Sequence, residues 1–168
     1  MFRKLFYPLL IILASCGGVT KDQPASTTDK VKGVAKVKLK ELDNQDIDLD
    51  QYKGKTIFIN FWATWCKPCL QEMPSIERLQ NQLKDDNIIF LFASNEELDQ
   101  IEKFKKKQSY AFHYVHLENL EELNIQALPT TYIFNAEGEL KFSEAGSRNW
   151  DSPSSLELIT QIMNDNEK

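Results

Sequence analysis

Two nearly continuous apolar runs, residues 57–62 (IFINFW) and 88–93 (IIFLFA), frame the middle of the chain. Runs of this kind suit strands buried on both faces of a parallel sheet. Between them Leu70, Met73, Ile76, Leu79 and Leu83 recur at spacings of three and four, which predicts a helix with one buried face. Strand, helix and strand together make a βαβ unit. Pro74 cannot bond the carbonyl of Leu70, so a kink rather than a stop is expected there. Upstream, Val37, Leu39 and Leu42, then Ile47 and Leu49 after the turn-like Asp43-Asn44, suggest a small hairpin. Lys53-Gly54-Lys55 reads as a turn into the first buried run.

Downstream, Ser94 and Glu97 form a candidate capping box for a helix whose inner face is Leu98, Ile101 and Phe104. Lys105, Lys106 and Lys107 suit its negative end, which makes them a helix terminus rather than a binding patch. Residues 112–117 read as a strand, which places His113 and His116 on opposite faces and keeps them from sharing a metal. Residues 119–124 predict a short helix. Residues 131–134 and 140–142 form a hairpin through Glu137-Gly138. Ser152 and Pro153 open a last helix carrying Leu156, Ile159 and Ile162 inward. The order βαβ then ββα gives an α/β domain with a central mixed sheet, helices on both faces and an N-terminal β-hairpin addition.

Residues 1–15 lie outside this pattern. Arg3 and Lys4 precede an apolar stretch from Leu5 to Ala14 that is too short for a comfortable membrane span, as in a secretion signal. Residues 16–33 are poor in large apolar groups and read as a flexible linker, reaching on the order of 20–25 Å as a coil and about 60 Å when stretched. Residues 34–168 form the folded domain. The net charge of −5 becomes −7 once the two basic residues of the leader are removed, an acidity that argues against nucleic acid as a partner.

The candidate chemistry lies at Cys66 and Cys69, two of the three cysteines, directly after the first buried strand and at the start of the helix. A thiol there faces unsatisfied amide donors and the positive helix end, which stabilise its thiolate. Cys66 becomes the nucleophile, and Cys69, a turn further in, can release a disulfide that Cys66 has formed. Zinc would need four ligands, and only Cys16 and two distant histidines remain, so no metal site is expected. A structural disulfide would close a loop too small to constrain the unfolded chain much. A reactive peroxidase thiol is the other alternative.

FWATWCKPC followed by QEMP resembles the thioredoxin superfamily and, within it, the TlpA/ResA-like thiol-disulfide oxidoreductases, over most of the chain after about Val34. The resemblance implies a thioredoxin-like fold, a Cys66-Cys69 redox disulfide and no further cofactor. Asn60 stands where thioredoxins carry a buried aspartate, and Glu72 matches the glutamate these relatives hold near the dithiol, a candidate proton relay. On the residues alone Glu72 reads as a solvated acid favoured by the helix dipole. Leu128-Pro129-Thr130 matches the superfamily's cis-proline loop, with Ala127 where glycine is usual. Sequence alone favours a trans bond. The resemblance makes Pro129 cis and leaves the backbone of Leu128 free to pair with an extended substrate. Trp62, Trp65 and Trp150 read first as packing residues, with Trp65 also placed to line the substrate surface.

Leu13-Ala14-Ser15-Cys16 resembles a bacterial lipobox, which implies acylation of Cys16 and a lipid anchor on the extracytoplasmic side of the membrane, in the periplasm where there are two membranes. An oxidising setting would then require an electron supply. Lys67 and Pro68 fit the family's reductants. The implied partners are a membrane thiol electron donor and disulfide-bearing protein substrates such as apocytochrome c. A thiol peroxidase on this fold would carry threonine where Ala63 stands. A non-catalytic binding lipoprotein would not need both cysteines.

Overall fold

The computed structural model describes residues 33–84 and 86–165. Among them seven strands form one mixed sheet: β1 (Leu39–Lys40), β2 (Asp46–Ile47), β3 (Thr56–Phe61), β4 (Ile88–Ser94), β5 (Tyr114–Leu117), β6 (Thr130–Phe134) and β7 (Leu140–Ala145). Their spatial order is β2-β1-β5-β4-β3-β6-β7. The helices are α1 (Lys67–Gln82), α2 (Leu98–Lys107) and α3 (Pro153–Asn164), and α1 runs through Pro74 without a break.

The first apolar run becomes β3, the central strand, with every residue buried. It pairs in parallel with β4 and antiparallel with β6. Its alternation splits the core in two. Phe58 shares one cluster with Phe90, Phe92 and Ile133, covered by Met73, Ile76 and Leu79 of α1, Ile101 of α2, and Ile159 and Ile162 of α3. Ile57, Ile59 and Phe61 face the other side, with Leu91, Val115 and Phe134. There the cover comes from the 3-10 helices Val34–Lys36 and Leu49–Tyr52 and from Leu123. Removing this apolar surface from water, at roughly 25 cal/mol per Å², is what holds both layers to the sheet.

The N-terminal hairpin forms as its alternation predicts, turning at Asn44 (φ 70°) and joining the sheet through Leu39 opposite Leu117. The β6–β7 turn uses Gly138 at φ 77°, where an added Cβ would stand 2.9 Å from the Val34 side chain. Glycine is needed there for its conformation and for its lack of bulk. The Val34 amide donates to the Gly138 carbonyl at 2.9 Å, and Gly33 bridges Glu139. The first described residues therefore lie beside this turn, at the end of the sheet where β3 starts, since Phe134 pairs with Ile57.

Three local expectations are corrected. Glu97, not Ser94, caps α2, in a reciprocal box with Gln100. Ser94 stays in β4, and its hydroxyl accepts the Glu96 amide at 3.2 Å. Residues 119–124 make consecutive i to i+3 turns instead of a helix, ended by Asn124 at φ 56°. The Asn119 side chain instead accepts the Lys38 amide at 3.0 Å and donates to the Lys36 carbonyl at 2.8 Å, tying it to the segment before β1. The strand foreseen over 112–117 starts at Tyr114. Before it, Phe112 stacks on Phe92 at 3.8 Å between centroids, and the His113 ring meets both carboxylate oxygens of Glu41 at 2.9 and 3.0 Å.

Candidate active site

From the end of β3 the chain passes through Trp62 and Ala63, both buried, into a short loop. The Trp62 ring lies 4.7 Å from Phe104 and 5.5 Å from Tyr114, which fixes the base of the loop. Glu96 fixes its crest, because its carboxylate accepts both the Thr64 amide and the Thr64 hydroxyl at 2.7 Å. The next residue, Trp65, is left 73% exposed, the one large hydrophobic side chain so placed among the described residues. Packing, the first of its two sequence readings, does not account for it. Trp62 and Trp150 are core residues, each 1% exposed.

Cys66 is the N-cap of α1. Its sulfur accepts the Cys69 amide at 3.3 Å, and Pro68 in the first turn has no amide to leave unsatisfied. Cys66 and Cys69 form a disulfide with their Cα atoms 5.3 Å apart. Cys66 is 3% exposed and Cys69 fully buried. The sulfur of Cys66 thus sits at the helix end whose free amides and dipole favour a thiolate, with Cys69 behind it.

Glu72 follows one turn beyond Cys69 and is only 3% exposed, which rules out the solvated first-turn acid. Its Oε1 accepts Asn60 Nδ2 at 2.9 Å. Its Oε2 accepts the Arg148 amide at 3.0 Å and Trp150 Nε1 at 3.1 Å. Burial pushes the Glu72 pKa above the ordinary glutamate value, the three donors pull against it, and the like charge of Glu144 adds to the rise. The Arg148 guanidinium faces Glu144, at 2.8 and 3.0 Å, and gives Glu72 only its backbone. Ser75 locks this loop to α1 by accepting the Trp150 amide at 3.1 Å and donating to the Glu72 carbonyl at 2.8 Å. Sequence reasoning missed Arg148, whose contribution is a backbone amide and carries no side-chain signal. It took Trp150 for packing alone.

The Leu128–Pro129 bond is cis. Thr130, next in the chain, pairs with Phe61, so this loop lies at the same end of the sheet as the disulfide. The Pro129 carbonyl accepts the Gly146 amide at 2.8 Å, and the Thr130 hydroxyl donates to the Ala127 carbonyl at 2.7 Å. Leu128 is half-buried against the core cluster that contains both cysteines. Its backbone groups have no hydrogen-bond partner among the described residues. Alanine at 127 is tolerated because the position has no positive φ. Cys16 lies outside the described residues, as do the proposed leader and most of the linker. Among the described residues no cluster of His, Cys, Asp or Glu is arranged to hold a metal.

A disulfide at a helix start, at the end of the central strand and level with a cis-proline loop, defines the centre of a thiol-disulfide oxidoreductase on a thioredoxin-like fold. Comparisons agree with this class. The redoxin family matches residues 23–159. The chain is 33% identical over 106 residues to the thiol-disulfide oxidoreductase ResA of Halalkalibacterium halodurans, an alignment covering 61% of this chain and 60% of that protein. With ResA of Bacillus thuringiensis it is 28% identical over 148 residues, 82% of this chain and 86% of the other. The crystal structure of a putative thiol:disulfide interchange protein DsbE from Chlorobium tepidum superposes with a TM-score of 0.69 at 19% identity, covering 79% of this chain and 97% of that one. The chain belongs to the redoxin family, in the TlpA/ResA-like branch of the thioredoxin superfamily.

Proposed function

We propose that this protein reduces disulfides in other proteins on the extracytoplasmic side of a bacterial membrane, held there by a lipid on Cys16. The carrying observation is the Cys66–Cys69 disulfide at the start of α1, with Trp65 exposed beside it and the Leu128 backbone unpaired on the neighbouring loop. In the reduced protein Cys66 attacks a substrate disulfide and forms a mixed disulfide, releasing one substrate thiolate. Cys69 gives its proton to the Glu72 carboxylate and attacks Cys66, which frees the second substrate thiolate and regenerates the Cys66–Cys69 disulfide. Trp65 offers an apolar face to the client, and Leu128 offers strand-like hydrogen bonds to an extended segment. Lys67 adds positive charge near Cys66 and supports the reducing direction. Electrons return from a membrane thiol carrier, and apocytochrome c is a candidate client.

The reduction potential of the Cys66–Cys69 pair, measured with a peroxide-consumption assay alongside, tests this reading. A potential in the range of cellular reductants, roughly −200 to −270 mV, with slow peroxide turnover is expected. Fast peroxide turnover would make the protein a thiol peroxidase, and a disulfide inert to thiols would make it a binding module. Cys16→Ser tests the anchor. The variant should be recovered as a soluble, folded domain with unchanged dithiol chemistry, and firm membrane retention would overturn the lipoprotein assignment.

A further inference from the structure

The donors around Glu72 differ in what they can do when the carboxylate gains a proton. Both groups on Oε2, the Arg148 amide and the Trp150 indole, are donors only, so Oε2 has no acceptor to which it could turn an acid hydrogen. Oε1 has the Asn60 side chain as its one hydrogen-bond partner among the described residues, in the disulfide form of the protein. Asn60 is fully buried on β3, directly opposite Thr131 on β6. Its Nδ2 serves both Glu72 Oε1 at 2.9 Å and Thr131 Oγ1 at 3.1 Å, while its Oδ1 is buried with no hydrogen-bond partner. One end of the amide makes both contacts and the other makes none.

We propose that the Asn60 amide inverts when Glu72 is protonated, so that Oδ1 accepts the acid hydrogen from Oε1 and a second hydrogen from the Thr131 hydroxyl. This rests on Glu72 as the proton acceptor of the proposed mechanism. Both contacts survive the inversion, because a carboxylic acid donates where a carboxylate accepts and a hydroxyl can do either. One amide end stays unpartnered in each state, the carbonyl oxygen while Glu72 is ionised and the amino group once it is protonated. Atoms and electrons balance. The Cys69 S–H bond breaks with its electron pair left on sulfur, and an O–H bond forms at Glu72 Oε1. Asn60 never carries the proton. It is a positioning residue that selects the oxygen and lets a buried acid exist in both forms. The charged groups beside this pair are Glu144 of β7 and Arg148, paired to each other, and Arg78 of α1, which lines the same surface pocket as Glu72 and is held by Asp151.

Side-chain NMR of the reduced full-length protein tests the inversion, with the Glu72 carboxyl carbon and the Asn60 amide followed over pH. Below the Glu72 midpoint both Asn60 amide hydrogens should lose their hydrogen-bonded shifts, with the same midpoint as the carboxyl carbon, and Glu72→Gln should abolish the transition. An Asn60 amide unmoved across the Glu72 titration, or moving identically in Glu72→Gln, would overturn the proposal. Neutron diffraction from crystals held on either side of the midpoint gives the orientation directly. Deuterium on Oε2, or an unchanged amide, would overturn it as well. Failure of the relay itself is read separately, as an unaltered rate of mixed-disulfide release in Glu72→Gln.

Discussion

The indole N–H of Trp150 reaches Glu72 Oε2 at 3.1 Å across 78 residues of sequence. The segment that precedes α3 is thereby fastened to the first turns of α1 through a carboxylate. Trp150→Phe keeps the edge contact with Phe58, at 4.8 Å between centroids, but removes that donor. A hydrogen bond to a charged group contributes roughly 1.5–3 kcal/mol, so urea unfolding at neutral pH should show a loss of that order. Because the donor favours the ionised form, its loss should move the pH dependence of mixed-disulfide release to higher pH.

Glu72→Gln should flatten the dependence of stability on pH. The folded pKa of Glu72 lies above its ordinary value of 4.5. Its contribution to stability is therefore fully present below that ordinary value and is lost as pH rises through the folded value. The wild-type protein should lose stability across this window relative to the variant, measured as urea midpoints at a series of pH values. Identical slopes would mean that burial does not perturb Glu72. The same variant should slow the release step, because glutamine cannot take the Cys69 proton.

Cys69→Ser should accumulate proteins joined through Cys66 and released by reductant, whereas Cys66→Ser should trap almost none. The asymmetry follows from the position of the two sulfurs, with Cys66 at the helix cap accepting the Cys69 amide and Cys69 fully enclosed. Non-reducing gels followed by mass spectrometry check it. Equal trapping by both variants would reverse the assigned order of attack.

Trp65→Ala should leave the fold alone, within about 0.5 kcal/mol, because a side chain 73% exposed buries little. Reduction of a protein disulfide should nevertheless weaken several-fold, while a small disulfide such as oxidised glutathione is reduced as before. Equal loss for both substrates would mean that Trp65 acts on the thiols and not on the client.

The strand, dithiol and helix were legible in the sequence because they are adjacent in it and each carries its own pattern. The surroundings of Glu72 were not. Asn60, Arg148 and Trp150 stand 12, 76 and 78 residues away, and they meet only once α1 and the segment before α3 cover the same face of the sheet. From local pattern a glutamate in an early helical turn looks solvated, and only the family resemblance pointed inward. The turns at 119–124 were misread for a related reason. Asn119 has the chemistry of a helix cap, and its use on Lys36 and Lys38 is a tertiary fact. The cis bond at Pro129 likewise had no local signature and rested on the resemblance alone.

Gly33, the first described residue, is bridged to Glu139 at the end of the sheet where β3 starts, and Cys66 comes after the end where β3 finishes. Six strand residues, about 20 Å, separate the two ends. The molecule therefore has a rear and a front. Under the proposed anchoring through Cys16, the tether would join the molecule at the rear and the sulfurs would lie at the far end of β3 from it. On that proposal the anchored protein would meet soluble clients without turning, and would have to tip over on its linker to meet a thiol donor in the membrane.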